Sequence, residues 1–141
     1  MSKRLLKEYL KLVLESVAEK GQVFTLESPK VVVHRSTDPE LTADRLDPLA
    51  IRQTKQSKRG SEPKVGVYAY GVENDVPRYG ENKIEMTIPA GTKVLDLRGA
   101  GRGASSRLSL SSAKELLDDG IEAVVGYDYI GPEEWILLKI P

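Results

Sequence analysis

Short runs of β-branched and aromatic residues recur along the chain, and most are bounded by glycine or proline. Side chains of this kind fit a pleated, half-buried surface, so each run is predicted to be a strand. The predicted strands are 23–25, 31–33, 65–70, 84–88, 93–97, 123–125 and 135–140. A helix capped by Ser111 or Ser112 is predicted to run through Leu117 and to stop at Gly120. One or two helices against roughly six to eight short strands predict an α+β fold with mostly antiparallel sheets.

The first residues of the chain predict an amphipathic helix. Apolar residues recur there at spacings of three and four, and lysines and glutamates fill the other face. The apolar positions are Leu6, Tyr9, Leu10, Val13 and Val17. Gly21 ends this segment, so residues 1–21 are assigned to the helix and residues 22–141 to the main body. The two parts form one domain, because a chain of 141 residues has the usual size of a single domain.

Two stretches are predicted to be irregular. Residues 38–64 are polar and contain three prolines, which favours a long loop with a helical turn near 46–51. Within this loop, 52–64 carries five basic residues and one acidic residue. That basic segment either binds phosphate or an acceptor, or is a solvated loop. A shorter segment is expected to form a helical turn that ends at Tyr79.

The composition excludes several kinds of chemistry. The chain has no cysteine and one histidine, which excludes disulfides, thiolate nucleophiles and multi-histidine centres, so no metal site is expected. Its 21 basic and 21 acidic residues cancel, so net charge does not attract it to nucleic acid or to a membrane. The N-terminal residues are too charged for a signal peptide, and no apolar run is long enough to span a bilayer. We therefore expect a soluble cytoplasmic protein with no membrane partner.

Three segments place polar or aromatic residues at strand ends, where binding sites are often built on a rigid scaffold. The first contains His34, although a lone histidine is more often structural than functional. The second contains Tyr68 and Tyr70 on one face of a strand, where they offer flat rings to a ligand or pack across the sheet. The third places Glu134 at the start of an apolar strand. Charge there usually keeps a strand edge soluble, but in a cleft it stabilises a developing cation.

Taken in chain order, these segments resemble the three motifs of the histidine–tyrosine–glutamate class of ADP-ribosyltransferases, the diphtheria toxin and poly(ADP-ribose) polymerase type. The matching residues are His34-Arg35-Ser36, then Gly66-Val67-Tyr68 with Tyr79 eleven residues later, then Glu134-Trp135-Ile136-Leu137. Arg35 stands where the family has glycine. Residues 84–97 and Gly126-Tyr127-Asp128 are similar to segments of short phage and bacterial members.

The resemblance implies an ADP-ribosyltransferase-like fold of two small, mostly antiparallel sheets around an NAD+ cleft. It implies NAD+ as the substrate and no metal. The catalytic residues would be Glu134, His34 and Tyr68. The residues that bind NAD+ would be His34, Arg35, Ser36, Gly66, Tyr68 and Tyr79.

The resemblance also implies a role for each group. Tyr68 and Tyr79 would enclose the nicotinamide ring, and the backbone of Arg35 would contact the nicotinamide amide. His34 would bind a ribose hydroxyl on the adenosine side. Glu134 would accept a hydrogen bond from the 2′-hydroxyl of the nicotinamide ribose and stabilise the positive charge that develops there.

The expected activity is transfer of ADP-ribose from NAD+ to a protein or nucleic-acid acceptor. One alternative is an NAD+ glycohydrolase toxin, in which water takes the ribose. Another is a catalytically inactive module of the same fold that binds a virion or another partner, with the N-terminal helix docked on a larger assembly. The protein is expected in the cytoplasm of a bacterial host or in association with a virion.

Overall fold

The computed structural model describes residues 21–50, 65–75 and 77–141. These residues form seven strands and one α-helix, α1 (Leu110–Asp118). The strands are β1 (Gln22–Thr25), β2 (Lys30–Ser36), β3 (Val67–Gly71), β4 (Asn82–Ile88), β5 (Lys93–Asp96), β6 (Ile121–Tyr127) and β7 (Glu133–Leu137). Each of the seven predicted strands is therefore present. The predicted N-terminal helix, up to residue 20, and the basic segment 52–64 lie outside the described residues.

The described strands form one sheet in the order β1-β5-β6-β7-β3-β2-β4. All neighbouring pairs are antiparallel except β5 and β6. The α+β class and the mostly antiparallel pairing are confirmed, but the expected division into two small sheets is not what forms. Strand β7 is the reason, because Trp135 is paired with Val125 of β6 on one side and with Ala69 of β3 on the other. This double pairing joins the two halves into a continuous sheet.

Apolar side chains are buried on both faces of the central strands. The first core contains Val32, Val67, Ala69, Ile84, Met86, Ile88, Val94, Ala123, Val125, Trp135 and Leu137. The second core contains Val65, Leu95, Leu97, Ala104, Leu108, Ala113, Leu116, Ile121, Val124, Ile136 and Leu138. Alternation along β7 supplies both, since Trp135 and Leu137 face one core and Ile136 faces the other. A strand buried on both faces is expected to read as a continuous apolar run, as 135–137 of β7 do.

The helix α1 covers the second core through Ala113 and Leu116. Its N-cap is Ser109, whose hydroxyl accepts the backbone N–H of Ser112 at 3.1 Å. The predicted caps, Ser111 and Ser112, are wrong, because the helix begins earlier. The backbone of Ser109 is extended, as an N-cap requires, and its hydroxyl accepts a helix N–H that would otherwise be unpaired. The predicted stop is confirmed, since Gly120 follows the helix with φ of 81° and its N–H binds the carbonyl of Leu117 at 2.9 Å.

The described part of the long loop, 38–50, covers the first core. Its apolar residues Leu41, Ala43 and Leu46 pack against that core. The loop contains a 3-10 turn at Ala43–Arg45. A second turn lies within the predicted range 46–51, where the N–H of Ala50 donates to the carbonyl of Asp47 at 3.2 Å. The helical turn predicted to end at Tyr79 is confirmed as Pro77–Tyr79.

Candidate functional site

The three strands that carry the motif residues are immediate neighbours in the sheet. His34 lies on β2, Tyr68 on β3 and Glu134 on β7, and these strands occur in the order β7-β3-β2. Glu134 is paired with Tyr70 of β3 and with Gly126 of β6. Segments that are far apart in the sequence are therefore brought within about two strand spacings, or roughly 10 Å, of one another.

The carboxylate of Glu134 is buried, with 4% of the residue exposed. The hydroxyl of Tyr70 lies 3.4 Å from its Oε2 atom, and the hydroxyl of the fully buried Ser105 lies 3.5 Å from its Oε1 atom. Gly126 allows this approach, because a Cβ there would come within 2.8 Å of the Ser105 Oγ atom. A carboxylate held in such low-dielectric surroundings interacts strongly with any positive charge placed beside it.

Tyr70 links this carboxylate to two further groups. Its hydroxyl donates to Oδ2 of Asp128 at 2.8 Å, and its ring is parallel to that of Tyr79, with an angle of 2° and centroids 6.0 Å apart. Burial, followed by the hydrogen bond to Asp128, raises the pKa of the Tyr70 hydroxyl above its usual range. The phenol therefore stays protonated near neutral pH and acts as a hydrogen-bond donor.

Asp128 is the second buried carboxylate, with 7% of the residue exposed. It follows β6 and begins the turn to β7. Its Oδ1 atom accepts the N–H groups of Ile130 at 2.9 Å and Gly131 at 2.7 Å. The five residues Tyr70, Tyr79, Ser105, Asp128 and Glu134 are called the tyrosine–carboxylate cluster below.

Tyr68 and Gly66, two residues of the second motif, lie against the second core and outside the tyrosine–carboxylate cluster. The half-buried ring of Tyr68 packs against the second core, while Tyr70 is the tyrosine that stacks with Tyr79. Gly66 has a φ of 99° and lies against Ile136, whose Cγ2 atom would be 2.4 Å from a Cβ at this position. The resemblance assigns Gly66 to NAD+ binding, and the group that lies against its backbone in this structure is a core side chain.

The side chain of His34 is buried and forms a hydrogen bond to a main-chain carbonyl of β3. Its Nδ1 atom lies 2.7 Å from the carbonyl oxygen of Tyr68, and because a carbonyl only accepts, Nδ1 carries a proton. The backbone pairing of β2 with β3 ends one residue earlier, at Val33 and Tyr70. Strand alternation gives His34 the face of Val32, which is opposite to the face of Glu134.

Arg35 and Ser36 are engaged locally. The guanidinium of Arg35 donates to both carboxylate oxygens of Asp75, at 2.8 and 2.6 Å, and to the carbonyl of Glu81 at 3.3 Å. The Ser36 hydroxyl accepts the N–H of Asp38 at 3.0 Å. The Arg35 side chain is thus directed to the loop after β3, as expected if only its backbone were to contact a ligand.

A separate ionic group lies on the other face of β7. Arg98 donates to Asp96 at 2.8 and 2.9 Å and to Glu133 at 3.1 Å, and the indole N–H of Trp135 donates to Glu133 at 3.0 Å. The hydrogen bond from Arg98 lowers the pKa of Asp96 below its usual range. Since Glu133 and Glu134 point to opposite faces, only Glu134 belongs to the tyrosine–carboxylate cluster.

Tyr79 and Glu134 were predicted site residues, Tyr70 was named only as a ring on the same face as Tyr68, and Ser105 and Asp128 were given no role. The signal for Tyr70 was its alternation with Tyr68, which puts both rings on one face without saying which would meet Tyr79. Asp128 lay in the Gly-Tyr-Asp segment that resembles family members. No local signal pointed to Ser105, because its approach to Glu134 depends on the packing of the 3-10 turn Ala104–Arg107 over β6.

An apolar cavity of about 220 Å³ lies elsewhere, at the other end of β7, lined in part by Ile88, Leu137 and Ile140. It shares no residue with the tyrosine–carboxylate cluster. The cluster is the stronger candidate for a functional site, because it holds buried ionisable groups and the cavity lining is mostly apolar.

No family model, curated protein or solved structure matches this chain. In the described ranges 21–50, 65–75 and 77–141, no helix has the length and apolar character needed to cross a membrane. Within the same ranges, no three histidine, aspartate or glutamate side chains gather as a metal site would require.

Proposed function

We propose that the protein cleaves the nicotinamide–ribose bond of NAD+ and transfers ADP-ribose to a macromolecular acceptor. The observation that carries the proposal is the buried carboxylate of Glu134, which lies beside the stacked pair Tyr70 and Tyr79. The direct pairing of Tyr70 with Glu134 across β3 and β7 supports it further, because it puts the ring stack and the carboxylate on one face of the sheet.

The reaction requires an environment that tolerates positive charge on the ribose. When the C–N bond breaks, its electron pair passes to the pyridinium nitrogen and nicotinamide leaves as a neutral molecule. The ribosyl carbon, which has oxocarbenium character in the transition state, then bonds to an oxygen or nitrogen of the acceptor, and the acceptor loses a proton. The protein therefore has to hold the leaving ring, bind the ribose and stabilise the cation.

Glu134 is the group suited to stabilise that cation. Its carboxylate is preorganised by the backbone pairing of Glu134 with Tyr70 and by the approach of Ser105, so little reorganisation is needed during the reaction. A single preorganised electrostatic group of this kind contributes about a hundredfold or more to the rate. In this role the carboxylate accepts the ribose 2′-hydroxyl and lies next to the developing charge.

The nicotinamide ring is assigned to Tyr79 and Tyr70, with Tyr70 in the place first given to Tyr68. Tyr79 is 45% exposed, so its ring offers surface to a planar ligand, while Tyr70 holds it in orientation by stacking. Aromatic pairs of this kind contribute about 0.5–1.5 kcal/mol beyond the area they bury. Tyr68 then acts by packing against the second core and by fixing β3.

His34 is assigned to the adenosine-side ribose. It lies just beyond the last backbone pair of β2 and β3, on the sheet face opposite to Glu134, so NAD+ would have to pass around the end of these strands to reach both side chains. Its Nδ1–H donates a hydrogen bond to the Tyr68 carbonyl, which fixes the orientation of the ring. The backbone of Arg35 follows directly and remains the contact proposed for the nicotinamide amide.

The proposal is tested by following free nicotinamide when the full chain is incubated with labelled NAD+ and a bacterial lysate as the acceptor source. Glu134→Gln should lower the rate of nicotinamide release about a hundredfold or more. Glu133→Gln is the matched control, since this neighbouring glutamate faces Arg98 and Trp135 on the other side of β7. The Glu133→Gln variant should release nicotinamide at a rate near that of the wild type.

The outcomes separate the alternatives. Label in a macromolecule supports the transferase, and release of nicotinamide without such label indicates that water is the acceptor, as in a glycohydrolase. Absence of release from the wild type, or equal rates for the wild type and Glu134→Gln, would contradict the proposal.

A further inference from the structure

Asp128 divides its two carboxylate oxygens between two tasks. One oxygen, Oδ1, accepts two backbone N–H groups of the turn that leads into β7. The other, Oδ2, accepts the hydroxyl of Tyr70 at 2.8 Å. The turn and the tyrosine are thus held by the same side chain, which is itself buried.

Tyr70 has one hydroxyl proton and two carboxylates within reach. The distance to Asp128 is 2.8 Å, whereas the distance to Glu134 is 3.4 Å. A strong hydrogen bond to a carboxylate has a short donor–acceptor distance, so the proton is directed mainly to Asp128. The Glu134 carboxylate is correspondingly less neutralised by Tyr70.

We infer that Asp128 is a positioning residue that accepts the hydrogen bond of the Tyr70 hydroxyl and so leaves the Glu134 carboxylate less neutralised by Tyr70 when it meets the ribose. This inference rests on the proposed cleavage of NAD+. It adds to that proposal a residue that touches neither the reacting bond nor the substrate and acts through Tyr70.

The substitution Asp128→Asn changes the direction of one hydrogen bond with little change of shape. The amide oxygen of asparagine still accepts the N–H groups of Ile130 and Gly131, but its NH2 group now faces Tyr70. An NH2 group donates, so the Tyr70 oxygen becomes the acceptor. Its proton is then left to the other acceptors within reach, the Glu134 carboxylate and the Tyr79 hydroxyl, of which the charged carboxylate is the stronger. The Glu134 charge is then partly neutralised by a hydrogen bond that the wild type directs elsewhere.

We expect Asp128→Asn to lower kcat for nicotinamide release about tenfold or more, the size of effect that a hydrogen bond to a charged group produces. KM for NAD+ should change little, because the contacts that bind the substrate remain. Asp47→Asn is the matched control. Asp47 also holds a turn by accepting a backbone N–H, that of Leu49 at 3.1 Å, and its substitution should leave the activity of the wild type unchanged.

The decisive variant is Asp128→Asn combined with Tyr70→Phe. Without the hydroxyl there is no proton to redirect, so Asp128→Asn should have no further effect on kcat in the Tyr70→Phe background. If Asp128→Asn lowers kcat by the same factor in the wild type and in Tyr70→Phe, Asp128 acts through the turn alone and the inference is overturned. An undetectable rate for Tyr70→Phe by itself would also overturn it, because the proton is inferred to be dispensable.

The inference and the proposed function fail in different ways. If the wild type cleaves NAD+ and Asp128→Asn cleaves it equally fast, the inference is wrong and the function stands. If the wild type releases no nicotinamide, both are wrong. Thermal unfolding of each variant, followed by far-UV circular dichroism, checks that a lost rate is not lost folding.

Discussion

Gly66 shows how one residue serves the fold at a place where the sequence suggests a ligand. Its φ of 99° belongs to the left-handed region, which residues with a Cβ adopt only at a cost. Its N–H donates to the carbonyl of Pro48 at 2.6 Å, and the side chain of Ile136 fills the space beside it. The glycine is thus required by the backbone and by the second core together.

Gly66→Ala is therefore expected to destabilise the fold by more than backbone strain alone. Gly91→Ala is the matched control, since Gly91 has a φ of 90° with nothing within 4 Å of a Cβ. We expect Gly91→Ala to lower the free energy of unfolding by about 1 kcal/mol. Gly66→Ala should lower the free energy of unfolding by about 1–3 kcal/mol more than Gly91→Ala does, because Ile136 has to move. Urea denaturation measures both, and equal losses would show that Ile136 adapts without cost.

At the scale of elements, Arg35 and Asp75 connect the end of β2 to the loop that follows β3. Their side chains are only 15% and 10% exposed, and the guanidinium binds both carboxylate oxygens. The pair Lys30–Glu73 lies nearby but is more exposed, at 28% and 58%. Exposed pairs contribute little, whereas shielded bidentate pairs are stronger. The Arg35–Asp75 pair is therefore the one expected to hold the segment that carries Tyr79.

Asp75→Ala is expected to lower Tm by several degrees at pH 7, and Glu73→Ala by much less. The hydrogen bond from Arg35 lowers the pKa of Asp75 in the folded protein. In the unfolded chain the pKa of Asp75 is higher, at about 3.9. The stabilisation is then present above that pH and is lost as the pH falls through the folded-state pKa. The Tm difference between wild type and Asp75→Ala should accordingly shrink below about pH 4. A difference that stays constant down to pH 2 would contradict this assignment.

At the scale of the whole molecule, β7 couples the two cores. It pairs with strands on both sides, and its residues alternate between the first core, which contains Trp135, and the second, which contains Ile136. Neither face can lose its packing without disturbing the strand that supplies the other. The described sheet is therefore expected to unfold in one cooperative transition.

Leu116→Ala tests this coupling. Leu116 lies on α1 in the second core and is 4% exposed, so its truncation should lower the free energy of unfolding by about 2–5 kcal/mol. The chain has a single tryptophan, and Trp135 reports from the first core, on the other face of the sheet. Its fluorescence midpoint in urea should shift as far as the midpoint from far-UV circular dichroism. A fluorescence midpoint that stays at the wild-type value would mean that the two faces unfold separately.

Lys114→Ala is the control on the same helix. Lys114 is exposed, and its substitution should change the free energy of unfolding by less than about 0.5 kcal/mol. Both probes should then give the midpoint of the wild type.

The sequence by itself determined the elements of this protein. β-Branched runs and turn residues were enough to locate all seven described strands, because strand preference and chain reversal depend on near neighbours. Gly120, the left-handed glycine that stops α1, could be predicted for the same reason. The cap at Ser109 was not, since several serines in a row satisfy the same local pattern, and only the extended backbone at Ser109 selects one.

Tertiary structure decided how these elements meet. No local pattern shows that β7 would lie between β6 and β3, and this placement turns two expected sheets into one and sets Glu134 opposite Tyr70. It also decided which tyrosine stacks on Tyr79 and that Ser105 and Asp128 join the cluster. These contacts connect residues far apart in the chain, so they follow from packing and hydrogen bonding across the sheet and not from local preference.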